Sequence, residues 1–315
     1  MDDRDDDRGD DRDQLAERFE AHRGHLRGVA FRMLGSLSDA EDAVQESWVR
    51  LDRTGADQLE NLPGWLTTVV GRICLDMLRS RKARREIAGH DDTVAAIPDE
   101  RTAEPEQEAL LVESVGRAML VVLDRLSPAE RVAFVLHDMF AVPFDEIAVI
   151  VNRTPVAAKK LASRARLRVT DTSAGSTGSA GSAGSAGSAG HVDLAWHRQV
   201  VESFLAAARG RDIAGLLAVL DPGVVRHADA VGLPPGVPLE VTGANAVVEE
   251  TLLLTRNARF ADVVLVNGTM GLVVAPRGRL LLALTFAIKD GRITEYSVIG
   301  DPQRLEQVQF SLPPQ

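Results

Sequence analysis

The stretch LSPAERVAFVLHDMFAVPFDEIAVIVNRTPVAAKKLASRARLRV, residues 126–169, contains the start and stop signals of three successive helices. Ser127, followed by a proline and then by Glu130, forms a capping box that begins the first helix. Asn152 is the non-glycine residue type that best tolerates the left-handed conformation in which helices end, so the second helix is expected to stop there. Thr154, with proline at the next position, then caps the third helix.

The third of these helices is strongly basic. Residues 154–169 carry five Lys or Arg side chains and no acidic residue, although the whole chain has a formal net charge of −10. A short helix, a tight turn and a basic second helix form the helix-turn-helix arrangement, whose second helix lies in the major groove of DNA. Helical spacing predicts that Val156, Leu161 and Leu167 face inward. The residues left for DNA or solvent are Thr154, Ala157, Ala158, Lys159, Lys160, Arg164 and Arg166. The alternative is an ordinary helical hairpin with a solvated cationic face.

The composition is typical of a soluble globular protein. Apolar residues make up 45% and charged residues 26% of the 315 residues, which is enough for two or three domains. The longest apolar runs fall well short of the roughly 20 residues that span a bilayer, and the acidic N-terminus is the opposite of a secretory signal. Cys74 is the single cysteine, which excludes an intramolecular disulfide and argues against a thiolate metal cluster. We therefore expect a cytoplasmic protein with no membrane partner.

The chain divides at two compositional breaks. The stretch 90–106 is polar and contains prolines, and a Gly/Ser/Ala repeat near 172–190 is typical of a flexible tether. Residues 2–13 hold eight Asp against three Arg, which is typical of a disordered tail; mimicry of DNA phosphate is the alternative. The predicted segments are an acidic tail at 1–13, a first helical domain at 14–88, a linker at 89–106, a second helical domain at 107–170, a tether at 171–190 and a C-terminal domain at 191–315.

Apolar residues at helical spacing run through the first helical domain. Ser38 followed by Glu41 predicts the capped start of an acidic helix, and a longer helix follows the break at Pro63 and Gly64. The longer helix ends in RSRKARR, residues 79–85, with five cations in seven residues. Cations suit a helix C-terminus, and this density also indicates contact with phosphate.

The C-terminal domain combines helices with strand-like runs. Residues 193–220 have helical spacing, and runs such as FADVVLVNG and RITEYSVIG follow them. The KDG tripeptide at 289–291 and the PRG tripeptide at 276–278 are hairpin signals. Helices first and an antiparallel meander later predict a curved sheet wrapped around a helix.

Three motifs in succession resemble the extracytoplasmic-function (ECF) group of bacterial RNA polymerase sigma factors. They are DAEDAVQESWVRL at 39–51, LPGWLTTVVGRICLDMLRSRKARR at 62–85 and the stretch at 126–169, and together the resemblance covers roughly residues 14–170. It implies two all-α domains: the first binds the core polymerase clamp and the minus-ten element, and the second binds the minus-thirty-five element through its helix-turn-helix. Many members have glycine in the turn where this chain has Asn152.

The resemblance also implies roles for individual residues. The positions that match the clamp-binding helix are Asp39, Asp42, Gln45 and Glu46. The positions that match the minus-ten loop and helix start at 55–65, or the basic flank behind them, are Asn61, Trp65, Arg72, Asp76, Arg79, Arg81, Lys82 and Arg84. The positions expected at the minus-thirty-five element are Arg153, Thr154, Ala157, Ala158, Lys159, Lys160, Arg164 and Arg166.

The C-terminal segment resembles the SnoaL-like domain, an α+β cone related to ketosteroid isomerase and small polyketide cyclases. Some ECF sigma factors carry this domain as an extension that modulates the sigma core in place of a separate anti-sigma protein. The expected fold is therefore two all-α sigma domains followed by a SnoaL-like cone, a curved antiparallel sheet around helices. Two signatures of that subfamily are partly present, one around Asp229 and one in the GDPQRL box at 300–305. The regulatory interface that they imply consists of Asp229, Asp301, Pro302, Arg304 and Leu305.

The expected function is that of a sigma factor without catalytic activity, cofactor or metal site of its own. Its expected partners are core RNA polymerase and promoter DNA, and no separate anti-sigma factor is required. His227, Asp229, Asp262 and Tyr296 are expected to reach the cavity of the cone. Since a carboxylate in an apolar pocket can act as a general base, ligand sensing and a cyclase- or isomerase-like activity stay open. The alternative function is a DNA-binding regulator fused to such a domain. Whether the domain activates or inhibits also stays open.

Overall fold

The computed structural model describes residues 3–54, 59–88, 112–113, 115–170, 189–234 and 236–314. The predicted linker at 89–106, all but the last two residues of the predicted tether at 171–190, and residues 55–58 lie outside this description. The described residues form two compact units. The N-terminal unit comprises the described parts of 1–89, 103–115 and 126–166, and the C-terminal unit comprises 116–125 and the described residues from 167 onward.

The described residues up to Thr170 form helices joined by short turns, as predicted. The helices are α1 (Asp3–Leu34), α2 (Leu37–Thr54), α3 (Leu62–Ala88), α4 (Arg117–Asp124), α5 (Pro128–Phe134), α6 (Phe144–Val151) and α7 (Pro155–Thr170), with a π-helical turn at Val135–Met139. Helix α4 belongs to the C-terminal unit, and α7 continues from the N-terminal unit into the C-terminal unit at residue 167.

Helix α3 is central to the N-terminal unit, where it packs on α1, α2, α5 and α6. Leu66 and Cys74 on this helix are fully buried. Gly71 permits close packing, because a Cβ atom there would lie 3.1 Å from Cδ1 of Ile150 on α6. The first helical domain and the helix-turn-helix therefore share one hydrophobic core.

Helix α1 includes residues 3–13, the segment for which the sequence predicted a disordered tail over 1–13. The acidic residues in its first turn interact favourably with the helix dipole.

Ser38 was predicted to cap α2, but the helix begins at Leu37, one residue earlier, so this prediction is wrong. Ser36 takes the capping role: its hydroxyl accepts a hydrogen bond from the backbone N–H of Asp39 at 3.4 Å. Glu41, which was expected to close a capping box, instead forms ion pairs of 3.3 Å with Arg23 and Arg27 of α1. Long-range pairing thus outcompetes the local motif.

The C-terminal unit is an α+β domain, as predicted. Its further elements are α8 (Ala189–Gly210), α9 (Ile213–Val219), β1 (Leu220–Ala228), β2 (Glu240–Thr242), α10 (Ala244–Leu254), a 3-10 segment at Thr255–Phe260, β3 (Ala261–Val266), β4 (Thr269–Val274), a 3-10 turn at Pro276–Gly278, β5 (Leu282–Lys289), β6 (Arg292–Ile299), α11 (Pro302–Gln307) and β7 (Phe310–Ser311).

The strands form one seven-stranded sheet in the order β2-β1-β6-β5-β4-β3-β7. The prediction of a wholly antiparallel sheet is wrong, because β1 and β6 run parallel. The two strands are separated in sequence by α10 and the β3–β5 meander, and such long connections allow parallel neighbours. The predicted hairpin at 289–291 is confirmed: Asp290 and Gly291 both have positive φ, and Lys289 pairs with Arg292.

The core of the C-terminal unit lies between the sheet and helices α8, α9 and α10. Phe204 of α8 packs on Phe286 and Tyr296, with ring centroids 5.4 and 5.7 Å away. Phe286 and Tyr296 are cross-strand neighbours on β5 and β6. This aromatic cluster fills the space between the helix and the sheet.

Candidate nucleic-acid interface

Local hydrogen bonds hold the helix-turn-helix in the predicted form. Ser127 and Glu130 make the predicted capping box, in which the Glu130 carboxylate accepts the Ser127 backbone N–H at 3.1 Å. Asn152 ends α6 in the left-handed conformation, with φ 54° and ψ 56°. The Thr154 hydroxyl accepts the backbone N–H of Ala157 at 3.2 Å and so caps α7. The turn geometry follows from these three local signals.

Helix α7 is rotated relative to the prediction. Its buried face is made of Ala158, Ala162, Ala165 and Val169. Val156 and Leu167 are 66% and 64% exposed, so the prediction that they face inward is wrong. The assignment of Ala158 to the DNA side is wrong as well, because its side chain is fully buried. Small side chains let α7 approach its neighbours closely, and that packing outweighs the hydrophobicity of the larger residues.

The cations of α7 fall into two groups. Lys159, Lys160 and Arg164 are exposed, and no described carboxylate pairs with them. Arg166 is half-exposed and donates from Nε to the carboxylate of Asp138, in the π-helical turn. Arg153, in the turn before α7, is exposed and donates to the Asn152 carbonyl oxygen at 3.3 Å. The exposed group gives α7 its positive surface.

Only part of the residue set expected at the minus-ten element is exposed. Arg79, Lys82 and Arg84 are exposed on the last turns of α3, whereas Arg81 donates to the Leu34 carbonyl oxygen at 2.9 Å and to the Asp39 carboxylate. Asp76 is exposed and lies 3.6 Å from Arg79.

The remaining members of this set lie near the start of α3 or on its side. Asn61 caps the helix, since its side-chain oxygen accepts the Gly64 N–H at 3.0 Å. Trp65 is half-buried in the first turn. Arg72 is exposed and donates to the Val149 carbonyl oxygen at 3.3 Å. Asn61 and Arg72 therefore have structural hydrogen bonds in addition to any contact with DNA.

The α2 residues expected to bind core polymerase also differ in their exposure to solvent. Asp42, Gln45 and Glu46 are exposed, and Glu46 makes an ion pair of 3.0 Å with Arg50 one turn later. Asp39 is only 27% exposed because it pairs with Arg81. The structure therefore joins two residues that the sequence assigned to different partners.

Asp229 is an internal anchor of the C-terminal unit. Its carboxylate accepts backbone N–H bonds from Gly232 at 2.8 Å, from Gly300 at 2.9 Å and from Asp301 at 2.9 Å. Arg304 lies 3.5 Å from the same carboxylate. Asp229 therefore holds backbone segments of its own domain together, whereas the expectation placed it in a cavity, and it lines neither of the two clefts described below.

The tail box at 300–305 is also used mainly within the domain. Asp301 caps α11 by accepting the Arg304 N–H at 2.9 Å, and Pro302 is the first residue of that helix. Leu305 is buried, and its carbonyl oxygen accepts a hydrogen bond of 3.1 Å from Arg125, which follows α4.

Two of the other residues expected to line a cavity lie elsewhere. His227 is 41% exposed on β1, 3.4 Å from Glu240 and 3.5 Å from Glu295. Tyr296 is buried in the aromatic core and hydrogen-bonds to Thr251 at 3.1 Å. Burial raises the pKa of the Tyr296 phenol to about 12.

The contacts that α4 makes within the C-terminal unit were not predicted from the sequence. Asp262 of β3 accepts the backbone N–H of Ala118 at 3.4 Å and lies 3.8 Å from Arg117. Arg125 also stacks over the Phe310 ring at 5.1 Å. Leu120, 1% exposed, faces Gly278, where a Cβ atom would lie 2.5 Å from the Leu120 Cδ1. Asp262 had been singled out, but no local pattern links it to α4.

The interior of the C-terminal unit also contains a buried ion pair that the sequence did not signal. Arg226, 1% exposed, binds both carboxylate oxygens of Glu250 and donates to the carbonyl oxygens of Leu239 and Pro238 at 3.1 and 2.8 Å. The buried guanidinium of Arg226 is therefore both charge-paired and hydrogen-bonded inside the domain.

The clefts found in the C-terminal unit are open rather than enclosed. One, of about 480 Å³, lies beside the start of α10, and the other, of about 500 Å³, borders Asp262 and Ala118. Among the described residues there is no group of three or more His, Cys, Asp or Glu side chains that could hold a metal ion. Of the helices within those residues, none combines the length and apolar composition of a membrane span.

Comparisons with known proteins agree with this arrangement. The family profile of Sigma-70 region 2 matches residues 18–84, and that of Sigma-70 region 4 matches residues 116–169. The probable ECF RNA polymerase sigma factor SigI of Mycobacterium tuberculosis (strain CDC 1551 / Oshkosh) is 34% identical over 307 residues, 95% of this chain and 98% of SigI. The ECF RNA polymerase sigma factor SigJ of strain H37Rv is 35% identical over 304 residues, 91% of each chain. The crystal structure of M. tuberculosis SigJ aligns with 92% of this chain and 98% of its own at a TM-score of 0.45 and 32% identity. Since the sequence similarity to SigI and SigJ, at 34% and 35% identity, covers more than nine-tenths of this chain and of each relative, the chain belongs to the ECF RNA polymerase sigma factors, which bind core RNA polymerase and direct it to promoters.

Proposed function

We propose that α7 is the element with which this sigma factor contacts the minus-thirty-five duplex. The observation that supports this proposal is the exposed cationic face of α7, formed by Lys159, Lys160 and Arg164. A helix that follows a capped turn and presents unpaired cations to solvent is suited to lie along the DNA backbone. Arg153 and Thr154, exposed at the N-terminal end of the same helix, extend this face.

The first helical domain would supply two further contacts. Arg79, Lys82 and Arg84, exposed on the last turns of α3, are the cations proposed to contact minus-ten DNA. Asp42, Gln45 and Glu46, exposed on α2, are the polar residues that remain available for core polymerase. Since Asp39 and Arg81 pair with each other, their role in this proposal is to position α2 relative to α3.

The C-terminal domain modulates promoter recognition in cis by holding part of Sigma-70 region 4. Helix α4 spans only eight residues and buries Leu120, Val121, Val122 and Leu123. A helix this short is not stable by itself in water. Asp262 and Leu305 accept hydrogen bonds from its first turn and from the residue after its end. On this proposal the domain supports region 4, and loosening of α4 lowers activity.

Paired replacements within the full-length protein test the cis proposal. Asp262→Ala combined with Arg125→Ala removes both polar contacts on α4. Transcription by reconstituted holoenzyme from a promoter that it selects should then fall about fivefold or more, the range of a typical coupling free energy.

Thr294→Ala is the matched control, since Thr294 of β6 also donates to a main-chain oxygen, that of Ala287 on β5, at 3.2 Å. It should leave transcription unchanged. Equal transcription by the wild type and the Asp262/Arg125 double variant, with α4 shown by amide hydrogen exchange to be loosened, would refute the cis role.

We also propose that the C-terminal domain has no enzymatic activity and that the protein works in the cytoplasm, where core polymerase is. Three of the four polar residues expected in a cavity lie elsewhere: Asp229 binds backbone N–H groups, Tyr296 lies in the core and His227 is partly exposed on β1, whereas Asp262 lines the cleft of about 500 Å³.

The cleft of about 480 Å³ is lined by no acid and no histidine. The cleft of about 500 Å³ is lined by two acids, but Glu202 pairs with Arg198 at 2.7 Å and Asp262 lies 3.7–3.8 Å from Arg209 and Arg117. These arginines favour the ionised carboxylates and so disfavour a general acid.

A further inference from the structure

Val156 is an exposed apolar side chain at the N-terminal end of α7. It is 66% exposed, although valine in a helix of this kind usually contributes to the core. The core side of α7 is already occupied by Ala158, Ala162 and Ala165, each fully buried. Val156 therefore has no packing role in the N-terminal unit that would explain an apolar residue at this position.

The position of Val156 along α7 is informative. The Thr154 cap places Val156 in the first turn of the helix, since α7 begins at Pro155. In helix-turn-helix proteins the N-terminal residues of the second helix contact base edges in the major groove. Lys159 and Lys160 follow at the third and fourth positions after Val156, so they lie on the same face one turn later. An apolar group thus lies at the base-reading end, with two cations beside it that are suited to phosphates.

We infer that Val156 reads the methyl group of a thymine in the minus-thirty-five element, an inference that rests on the proposed contact of α7 with that duplex. The thymine C5-methyl group is the apolar feature that base pairs present in the major groove. A valine side chain against this methyl group removes both from water and leaves no polar group without a partner. Burial of one methyl group corresponds to about a fourfold difference in affinity.

The test compares thymine with uracil, which differ only by this methyl group. Full-length protein in complex with core polymerase first selects duplexes from a pool randomised in the minus-thirty-five region. Each thymine of the selected sequence is then replaced singly by uracil, and the dissociation constant of the holoenzyme is measured. At one position, the wild-type protein should bind the uracil duplex about fourfold more weakly. Val156→Ala should bind the thymine and uracil duplexes there equally.

Val149→Ala is the matched control, because Val149 is also exposed, at 55%, but lies on α6. This variant should retain the wild-type preference for thymine. Both replacements are on the surface and substitute a good helix former, so circular dichroism should show unchanged helix content. Discrimination that persists in Val156→Ala, or a wild-type protein that loses no affinity with uracil at any position, would overturn the inference.

A separate measurement tests the surface on which the inference rests. Each phosphate contact contributes about 0.9 to the slope of log affinity against log salt. Lys159→Ala combined with Arg164→Ala should therefore flatten the slope for the selected duplex by up to about 1.8. An unchanged slope overturns the assignment of α7 and the Val156 inference together. A flattened slope with no effect of uracil overturns the Val156 inference alone.

Discussion

Replacement of Asp229 by alanine should destabilise the C-terminal unit strongly, although none of the residues proposed to contact DNA belongs to that unit. The Asp229 carboxylate, 12% exposed, accepts the backbone N–H groups of Gly232, Gly300 and Asp301. Gly300 is buried, and a Cβ atom on it would lie 2.5 Å from the Cα of Gly232, so the two backbone segments are in close contact. Removal of the carboxylate therefore leaves the buried Gly300 N–H without its acceptor.

The magnitude follows from the number of donors. A buried N–H left without an acceptor costs about 1–3 kcal/mol, and each of the two half-exposed N–H groups loses about 0.5–1.5 kcal/mol. The free energy of unfolding should therefore fall by about 2–6 kcal/mol in Asp229→Ala. Arg304 adds little, because its side chain is 54% exposed and its ion pair is screened by solvent.

The matched control is Asp212→Ala. Asp212 belongs to the same unit and caps α9, but it accepts only one backbone N–H, that of Gly215 at 3.0 Å. Loss of such a cap costs about 1 kcal/mol. Denaturant-dependent amide hydrogen exchange of peptides from β1 and β6 reports the opening of this unit alone. If Asp229→Ala lowers the opening free energy no more than Asp212→Ala does, the carboxylate does not anchor the two segments.

Two further predictions concern the N-terminal unit. Asp42→Lys combined with Glu46→Lys should reduce copurification with core polymerase. The control is Asp13→Lys with Glu17→Lys, which makes the same charge change at exposed positions of α1 and should not reduce copurification. Equal binding by both double variants would contradict a polymerase contact on α2. Cys74 is fully buried, and burial raises the pKa of its thiol to about 12, so at pH 8 only about one thiol in ten thousand would be ionised in the native state. The Cys74 thiol should therefore react with a disulfide reagent only as the N-terminal unit unfolds, and rapid labelling of the native protein at pH 8 would contradict this expectation. Because the folded pKa of the thiol lies above the unfolded value of 9.0, the stability that the protonated thiol contributes should be lost as the pH rises from about 9 to 12.

Features of this fold that depend on neighbouring residues were predictable from the sequence. The capping box at Ser127, the left-handed Asn152, the Thr154 cap and the hairpin at 289–291 all form as expected, because each is determined by a few consecutive residues. The succession of motifs was sufficient to predict the family, which the comparisons confirm. The roles assigned to individual residues in binding DNA or polymerase stay predictions.

Features that depend on distant contacts were not predictable. Hydrophobicity placed Val156 inside and Ala158 outside, whereas close packing of α7 requires the smaller side chain at the contact. The pairing of Arg81 with Asp39 joins residues 42 positions apart, and the contact of Ala118 with Asp262 joins residues 144 positions apart. The parallel pairing of β1 with β6 likewise depends on the path of the whole domain.

Helix α7 contains residues of both units, so it is relevant both to the proposed contact with DNA and to the proposed regulation in cis. Its first turns carry Val156 and the exposed lysines, and its last turn belongs to the C-terminal unit, where the Val169 carbonyl oxygen accepts the Leu312 N–H at 2.8 Å. On the proposal made above, regulation in cis needs no masking of the cationic face, because the C-terminal unit includes α4 at one end of Sigma-70 region 4 and the last residues of α7 at the other.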